Sequence, residues 1–211
     1  MSQARRRVFF VGASGVGKST LAALMAREMG LPFLTISPSA VYARHGYTIA
    51  ECFEDRGKMA AVQYEVADYT ATCLEREVNS PGYVTDRAFD LSIYGALLGV
   101  PHPEPKVLRV LRAMTDGEYP VHTSIVFVRP SARVLTAARL ADKGRRGQFL
   151  SDPWVYRVDG ALEYFIRTRR MECVEIPGDM AELTARAEFL RDKLGIAPHR
   201  PEPAHSHAAA G

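Results

Sequence analysis

Cysteine is scarce in this sequence, and long apolar runs are absent. Only three cysteines occur among 211 residues, at Cys52, Cys73 and Cys173, without CxxC spacing. This odd, scattered set argues against a disulfide framework and a zinc site, so we interpret all three as reduced thiols. No stretch approaches the roughly 18–20 apolar residues of a membrane span. The apolar run after the arginines at 5–7 meets glycines too early for a signal peptide. We therefore expect a soluble, cytoplasmic protein.

The sequence also lacks a strong excess of charge of one sign. Its 27 Lys and Arg residues nearly balance 24 Asp and Glu residues, for a net charge of +3. Such a balance permits a polyanionic ligand such as a nucleotide, but it is too small to identify a nucleic-acid-binding protein. The length predicts one domain, residues 1–197. Residues 198–211 lack apolar periodicity and predict a disordered tail, whose histidines we do not interpret as metal ligands.

Short apolar segments alternate with segments of helical periodicity along the chain. The predicted strands are 7–11, 31–36, 83–85, 124–129 and 173–177. The predicted helices are 20–29, 49–78 with a break near 56–57, 90–98, 107–114, 152–168 and 179–194. Segments 37–48 and 140–149 are predicted as polar and basic connections. Because parallel strands need crossover connections, this order predicts an α/β fold with a mostly parallel five-stranded sheet covered on both faces.

A glycine-rich loop follows the first predicted strand. The segment GASGVGKS, residues 12–19, matches the Walker A pattern GxxxxGK[ST] and opens the next predicted helix. The glycines allow backbone N–H groups to point at phosphate oxygens. Lys18 is expected to reach the β and γ phosphates, and Ser19 to ligate magnesium. The predicted ATP-binding residues of this loop are Gly12, Ala13, Ser14, Gly15, Val16, Gly17, Lys18, Ser19 and Thr20.

The segment YVTDRAFDLSIYGALLG, residues 83–99, is the second informative motif. Its strand delivers Asp86 and Arg87 to the edge where open α/β sheets bind ligands. It resembles the DR motif of thymidylate and deoxynucleoside kinases and of the nicotinamide riboside kinase-like AAA-type P-loop kinases, a group often encoded by phages. In those families an aromatic residue follows on the next helix, here Tyr94.

The resemblance implies a P-loop NTPase three-layer sandwich. It also implies that Asp86 works near magnesium and the acceptor hydroxyl, as a general base or as a metal ligand. Arg87 would hold phosphate or the acceptor. Ala88 departs from the thymidylate kinases, which often carry an aromatic residue there, and this argues against thymidine monophosphate as acceptor.

A basic segment follows the fourth predicted strand. It contains Arg133, Arg139, Lys143, Arg145 and Arg146. The segment resembles the flexible lid of nucleoside and nucleotide kinases, whose arginines stabilise the charge that develops during phosphoryl transfer. The resemblance implies catalytic roles for Arg145 and Arg146 and an ATP contact for Arg139. The alternative is a solvated basic loop.

Two residues occupy positions where related kinases bind the acceptor. Arg44 lies in the polar segment after the second strand, and Gln63 lies on the long helix. The resemblance implies that Arg44 and Gln63, with Arg87 and Tyr94, contact the acceptor. A solvated glutamine or arginine is the alternative in each case.

These features predict a kinase that transfers the γ-phosphoryl group of ATP, with Mg²⁺, to a nucleoside or nucleoside monophosphate. A first alternative is a kinase that phosphorylates a hydroxymethylated base in DNA. A second is a nucleotide-hydrolysing switch or ATPase module, although the chain lacks the NKxD segment of GTPases and the fuller acidic Walker B motif of AAA ATPases. The oligomeric state is left open between a monomer and a homodimer.

Overall fold

The computed structural model describes residues 6–76, 82–100, 122–142 and 147–196. The strands are β1 (Arg6–Val11), β2 (Phe33–Leu34), β3 (Gly82–Thr85), β4 (His122–Val128) and β5 (Cys173–Ile176). The helices are α1 (Lys18–Met29), α2 (Pro38–His45), α3 (Ile49–Glu54), α4 (Arg56–Arg76), α5 (Asp90–Leu97), α6 (Ala132–Asp142), α7 (Asp152–Thr168) and α8 (Leu183–Leu194). A short 3-10 helix, Gly147–Leu150, precedes α7.

The strands form one five-stranded sheet in the order β2-β3-β1-β4-β5. Every neighbouring pair is parallel. Residues 7–11 of β1 and all of β3 are buried although their side chains alternate between the two faces. Both faces of the central strands are therefore covered, as the sequence predicted for an α/β fold. The carboxyl ends of β1, β3 and β4 lie at one edge of this sheet.

Several helix ends follow from local sequence signals. Helix α1 ends at Gly30, whose φ of 63° lies in the left-handed region, as predicted. Thr48 and Glu51 form a capping box that starts α3. The Asp55 carboxylate accepts hydrogen bonds from the backbone N–H groups of Gly57 and Lys58, at 2.8 and 3.1 Å. This side chain ends α3 and starts α4, which explains the predicted break.

The structure corrects the interpretation of two connections. Segment 37–48 contains helix α2, which begins at Pro38 after Ser37 and ends at Gly46, where φ is 68°. The start and stop signals were present, but the polar composition obscured them. Helix α6 likewise extends into the basic segment, as far as Asp142. The predicted helix 107–114 and the predicted tail 198–211 lie outside the described residues.

No helix in the described part of the chain is both long enough and apolar enough to cross a membrane. The long helix α4 shows why, because its sequence mixes apolar residues with charged ones at short intervals.

Candidate active site

The glycine-rich loop wraps the start of α1 directly after β1. Gly12, Gly15 and Gly17 have φ values of 153°, 76° and 88°, which residues with a side chain rarely adopt. A Cβ on Gly12 would lie 2.6 Å from the carbonyl oxygen of Val128. The loop thus passes so close to the end of β4 that only glycine fits. The predicted loop residues Ala13 and Val16 are fully buried.

The amino-terminal end of α1 points into this loop. Its N-cap residue is Gly17, and the first turn contains no acidic residue. The helix therefore offers backbone N–H groups and the positive end of its dipole without a side chain of its own that competes for them. Such an end is suited to phosphate oxygens.

Lys18 lies across the loop instead of extending into solvent. Its side chain is 4% exposed. The ammonium donates to the carbonyl oxygens of Gly12 and Ala13, at 2.8 and 2.6 Å. The ammonium is therefore held inside the loop, and its contact with the β and γ phosphates stays a prediction.

The order of the strands brings Ser19 and Asp86 together. Asp86 follows β3 directly, and β3 is the neighbour of β1. The Ser19 hydroxyl donates to Oδ2 of Asp86. The other oxygen, Oδ1, is buried and has no hydrogen-bond partner among the described residues. A hydroxyl and a carboxylate with a free oxygen fit the preference of Mg²⁺ for a few protein oxygen ligands together with substrate phosphates. The described residues contain no group of three His, Cys, Asp or Glu that could hold a metal alone.

Arg87 forms a buried ion pair with Asp90. Arg87 Nη1 lies 3.6 Å from Asp90 Oδ2, and the side chains are 17% and 0% exposed. Burial lowers the pKa of Arg87, but Asp90, Tyr94 and Asp86 together raise it above its usual value, so the guanidinium stays charged. Burial raises the pKa of Asp90, although Arg87 opposes the rise. Sequence reasoning missed Asp90, whose only local signal is an acid three residues after an arginine at a helix start.

A cavity of about 550 Å³ opens beside the loop. Its walls come from α2, α4, α5, the end of α6 and the 3-10 helix. The lining residues are Ser14, Pro38, Ser39, Tyr42, Ile49, Gln63, Val66, Arg87, Leu91, Tyr94, Ala141, Asp142 and Phe149. Three of the four residues predicted to bind the acceptor, Gln63, Arg87 and Tyr94, thus lie on one cavity. Sequence reasoning did not find Ser39, Asp142 or Phe149.

Gln63 and Tyr42 meet in the wall of the cavity. The Gln63 amide nitrogen donates to the Tyr42 hydroxyl at 3.1 Å. Burial raises the pKa of Tyr42 to about 12. Both groups are therefore neutral hydrogen-bonding groups in an otherwise largely apolar part of the wall, which includes Ile49 and Val66.

Tyr94 connects the cavity to the phosphate loop. Its hydroxyl lies 3.1 Å from Ser14 Oγ. Burial raises the pKa of Tyr94 to about 12, so it acts as a neutral phenol. The centroid of its ring lies 6.0 Å from the ring centroid of Phe149 and 5.8 Å from that of Trp154. Phe53 of α3 contacts the same two rings, at 5.0 and 6.1 Å. This aromatic cluster holds the 3-10 helix against the cavity.

Other predicted residues lie elsewhere. Arg44 is absent from the cavity wall, since its side chain is 55% exposed and forms an ion pair with Glu65. Arg139 of α6 donates to the carbonyl oxygen of Leu150 at 2.8 Å and pairs with Asp152, so it joins α6 to the 3-10 helix and to the start of α7. Arg145 and Arg146 lie outside the described residues. The binding and catalytic roles assigned to these arginines stay predictions.

Arg186 of α8 is a further residue that sequence reasoning missed. It is buried and donates to the carbonyl oxygen of Val16 at 2.8 Å and to that of Met180 at 2.5 Å. It therefore supports the phosphate loop from behind. Burial lowers the pKa of Arg186. No local pattern in the sequence could have linked it to a loop that lies 170 residues away.

One family model matches part of the chain. The model for the ATPase family associated with various cellular activities (AAA) matches residues 8–66. The match includes most of β1, the phosphate loop and α1, and it ends within α4. No curated protein matches the chain.

Solved structures resemble the chain over most of its length. Deoxyadenosine kinase from M. mycoides, with dCMP and a flexible dCDP bound as products, is 13% identical, with 90% of this chain and 98% of that chain covered and a TM-score of 0.64. Shikimate kinase from Acinetobacter baumannii, in complex with shikimate, is 15% identical, with 90% and 93% covered and a TM-score of 0.53. NadR protein in complex with NR is 18% identical, with 92% and 51% covered and a TM-score of 0.58. At these identities the likeness shows the fold.

Proposed function

We propose that this chain, which has the fold of the P-loop kinases, transfers the γ-phosphoryl group of ATP to a hydroxyl group of a nucleoside or nucleoside monophosphate. One observation carries the proposal: the cavity of about 550 Å³ lies directly beside the phosphate loop. Ser14 of that loop lines the cavity, and so does Arg87, which follows Asp86. Ligand cavities usually measure about 300–1,000 Å³, so a nucleoside would fit. A module that only hydrolyses ATP has no need of such a cavity.

The chain's own groups supply binding and charge. On ATP binding, Lys18 would exchange the two loop carbonyls for oxygens of the β and γ phosphates, while the N-terminus of α1 holds the remaining oxygens. Ser19 and Asp86 would hold Mg²⁺, which when bound neutralises charge on the β and γ phosphates. Asp86 has a second potential role as acceptor of the hydroxyl proton.

The acceptor would lie between Gln63 and Arg87. Gln63 and Tyr42 provide hydrogen-bonding groups for a polar ring edge, and Ile49 and Val66 contact its apolar faces. Arg87 would contact the reacting end, because it directly follows Asp86 at the edge of the sheet. An acceptor bound in this way would hold a hydroxyl near the γ-phosphoryl group, which would lower the entropic part of the barrier.

The test is to incubate the protein with Mg²⁺ and γ-labelled ATP and a panel of nucleosides, nucleoside monophosphates and DNA with hydroxymethylated bases. We expect label on a nucleoside or nucleotide and none with Lys18→Ala. A matched control is Lys193→Ala, because Lys193 is an exposed lysine of α8. Label only on the modified DNA would support the alternative acceptor. Label released only as phosphate, whatever acceptor is present, would contradict the kinase proposal.

The match to the AAA model favours a second candidate, a nucleotide-hydrolysing ATPase module. The two candidates differ in their response to an acceptor. A kinase transfers phosphate in proportion to the acceptor added, whereas an ATPase hydrolyses ATP at a rate that the panel does not change.

A further inference from the structure

We propose that Asp90 determines acceptor specificity: its buried carboxylate neutralises Arg87, so that the cavity selects an uncharged hydroxyl compound over a phosphate monoester. The inference rests on the proposed kinase function, because that function makes the cavity the acceptor site. It concerns a residue that contacts Arg87 and not the acceptor itself.

Each oxygen of the Asp90 carboxylate lies next to a group of positive character. Oδ1 accepts the backbone N–H of Ala88 at 2.8 Å. Oδ2 lies 3.6 Å from Arg87 Nη1 and has no hydrogen-bond partner in the described part of the chain. Because the side chain is completely buried, solvent does not screen its charge. The negative charge therefore acts on the guanidinium at short range.

The ion pair with Asp90 leaves Arg87 with little net positive charge to offer a ligand. Among the described lining residues, Arg87 is the only one with a cationic side chain. Asp86 lies next to Arg87 in sequence, and Arg87 Nη1 lies 3.4 Å from its carbonyl oxygen. Asp90 and Asp86 both contribute to the field at the guanidinium.

A phosphate monoester carries a charge of about −1.5 to −2 at pH 7. In this cavity it would meet a cation whose charge Asp90 already balances, and it would lie close to the Asp90 carboxylate itself. Like charges brought together in a poorly solvated site are strongly unfavourable. A neutral hydroxyl compound does not meet this cost, and it can still accept a hydrogen bond from Arg87.

Asp90→Asn tests the role of the charge with little change in shape. The amide oxygen can still accept the Ala88 N–H, while the negative charge is lost. With the phosphate loop filled by Mg²⁺ and a non-hydrolysable ATP analogue, inorganic phosphate is titrated and the melting temperature followed. We expect no response of the wild type, a rise for Asp90→Asn, and no rise for the double variant Arg87→Gln/Asp90→Asn.

A second measurement compares dissociation constants for deoxynucleosides and their 5′-monophosphates, in matched pairs. The wild type should prefer the nucleoside, and Asp90→Asn should shift this preference by about 10- to 100-fold toward the monophosphate. A merely structural role would weaken both members of a pair equally. If Asp90→Asn does not fold, Asp90→Ser removes the same charge with a smaller side chain.

An equal phosphate response in wild type and variant would overturn the role of Asp90, whatever acceptor the kinase assay identifies. A wild-type preference for the monophosphate would also overturn it. If the phosphate response follows the expectation but no acceptor in the panel gains label, the kinase proposal fails and the charge role of Asp90 stands.

Discussion

Gly15 in the phosphate loop offers a quantitative test of how the loop is held. Its φ is 76°, and a Cβ there would lie 2.6 Å from Leu150 Cδ2 and 3.2 Å from Ala138 Cβ. Gly30 at the end of α1 has a similar φ of 63°, but a Cβ there would meet nothing within 4 Å. Substitution by alanine would therefore strain the backbone at both positions, but only at Gly15 would the new Cβ also collide with neighbouring side chains.

The expected effects follow from these geometries. A left-handed conformation costs a residue with a side chain about 1–2 kcal/mol, so Gly30→Ala should lower the free energy of unfolding by that amount. Gly15→Ala should lose a further 1–3 kcal/mol, roughly, from overpacking against Leu150. Because Leu150 is buried and has little room to move, we expect the loop to shift, so that its N–H groups no longer converge on the phosphates. We expect ATP affinity to fall about 10- to 100-fold in Gly15→Ala only.

Urea unfolding measures the first effect, and titration with a fluorescent ATP analogue measures the second. Adding Leu150→Ala to Gly15→Ala should restore part of the ATP affinity, because it removes the atom that the new Cβ meets. Equal losses of stability in Gly15→Ala and Gly30→Ala, or an unchanged ATP affinity in Gly15→Ala, would show that the close approach to Leu150 does not shape the loop.

Three further predictions concern single charged groups. Asp86→Asn should lower kcat far more than it weakens ATP binding, since the carboxylate acts mainly on the transition state. A higher Mg²⁺ requirement of the variant would identify Asp86 as a metal ligand. A rise in the acceptor KM alone would contradict its roles as metal ligand and as general base. Burial raises the pKa of Asp159 to about 6 from 3.8, although Arg129 opposes the rise. The proton on Asp159 therefore adds up to about 3 kcal/mol to the free energy of unfolding, and this contribution is complete below about pH 4. It is lost as the pH rises through about 6. Urea unfolding should show that loss in the wild type and not in Asp159→Asn. Arg145→Ala or Arg146→Ala should lower kcat on the order of 10³-fold with little change in ATP affinity, by analogy with arginine fingers, and unchanged turnover in both would leave a solvated basic loop.

The phosphate loop and the adjacent residues Asp86 and Arg87 could be located from the sequence, because each of these motifs is formed by neighbouring residues. Gly12, Lys18 and Ser19 lie within one short segment, so their spacing alone identifies the phosphate-binding motif. The alternation of short apolar segments with segments of helical periodicity predicted the parallel sheet. Helix α2 was missed although Pro38 and Gly46 mark its ends. In that segment the polar composition outweighed the boundary signals.

Only the tertiary structure decided which distant residues meet. The strand order places β3 beside β1, and this pairing brings Asp86 to Ser19. Arg186 reaches the loop from α8, and Phe149 reaches the cavity from the 3-10 helix. Such contacts depend on how helices pack across the sheet, which no local pattern encodes. The sequence by itself predicted the residues that would hold a nucleotide. The packing determined the shape and charge of the cavity beside them, because its walls come from segments far apart in the chain.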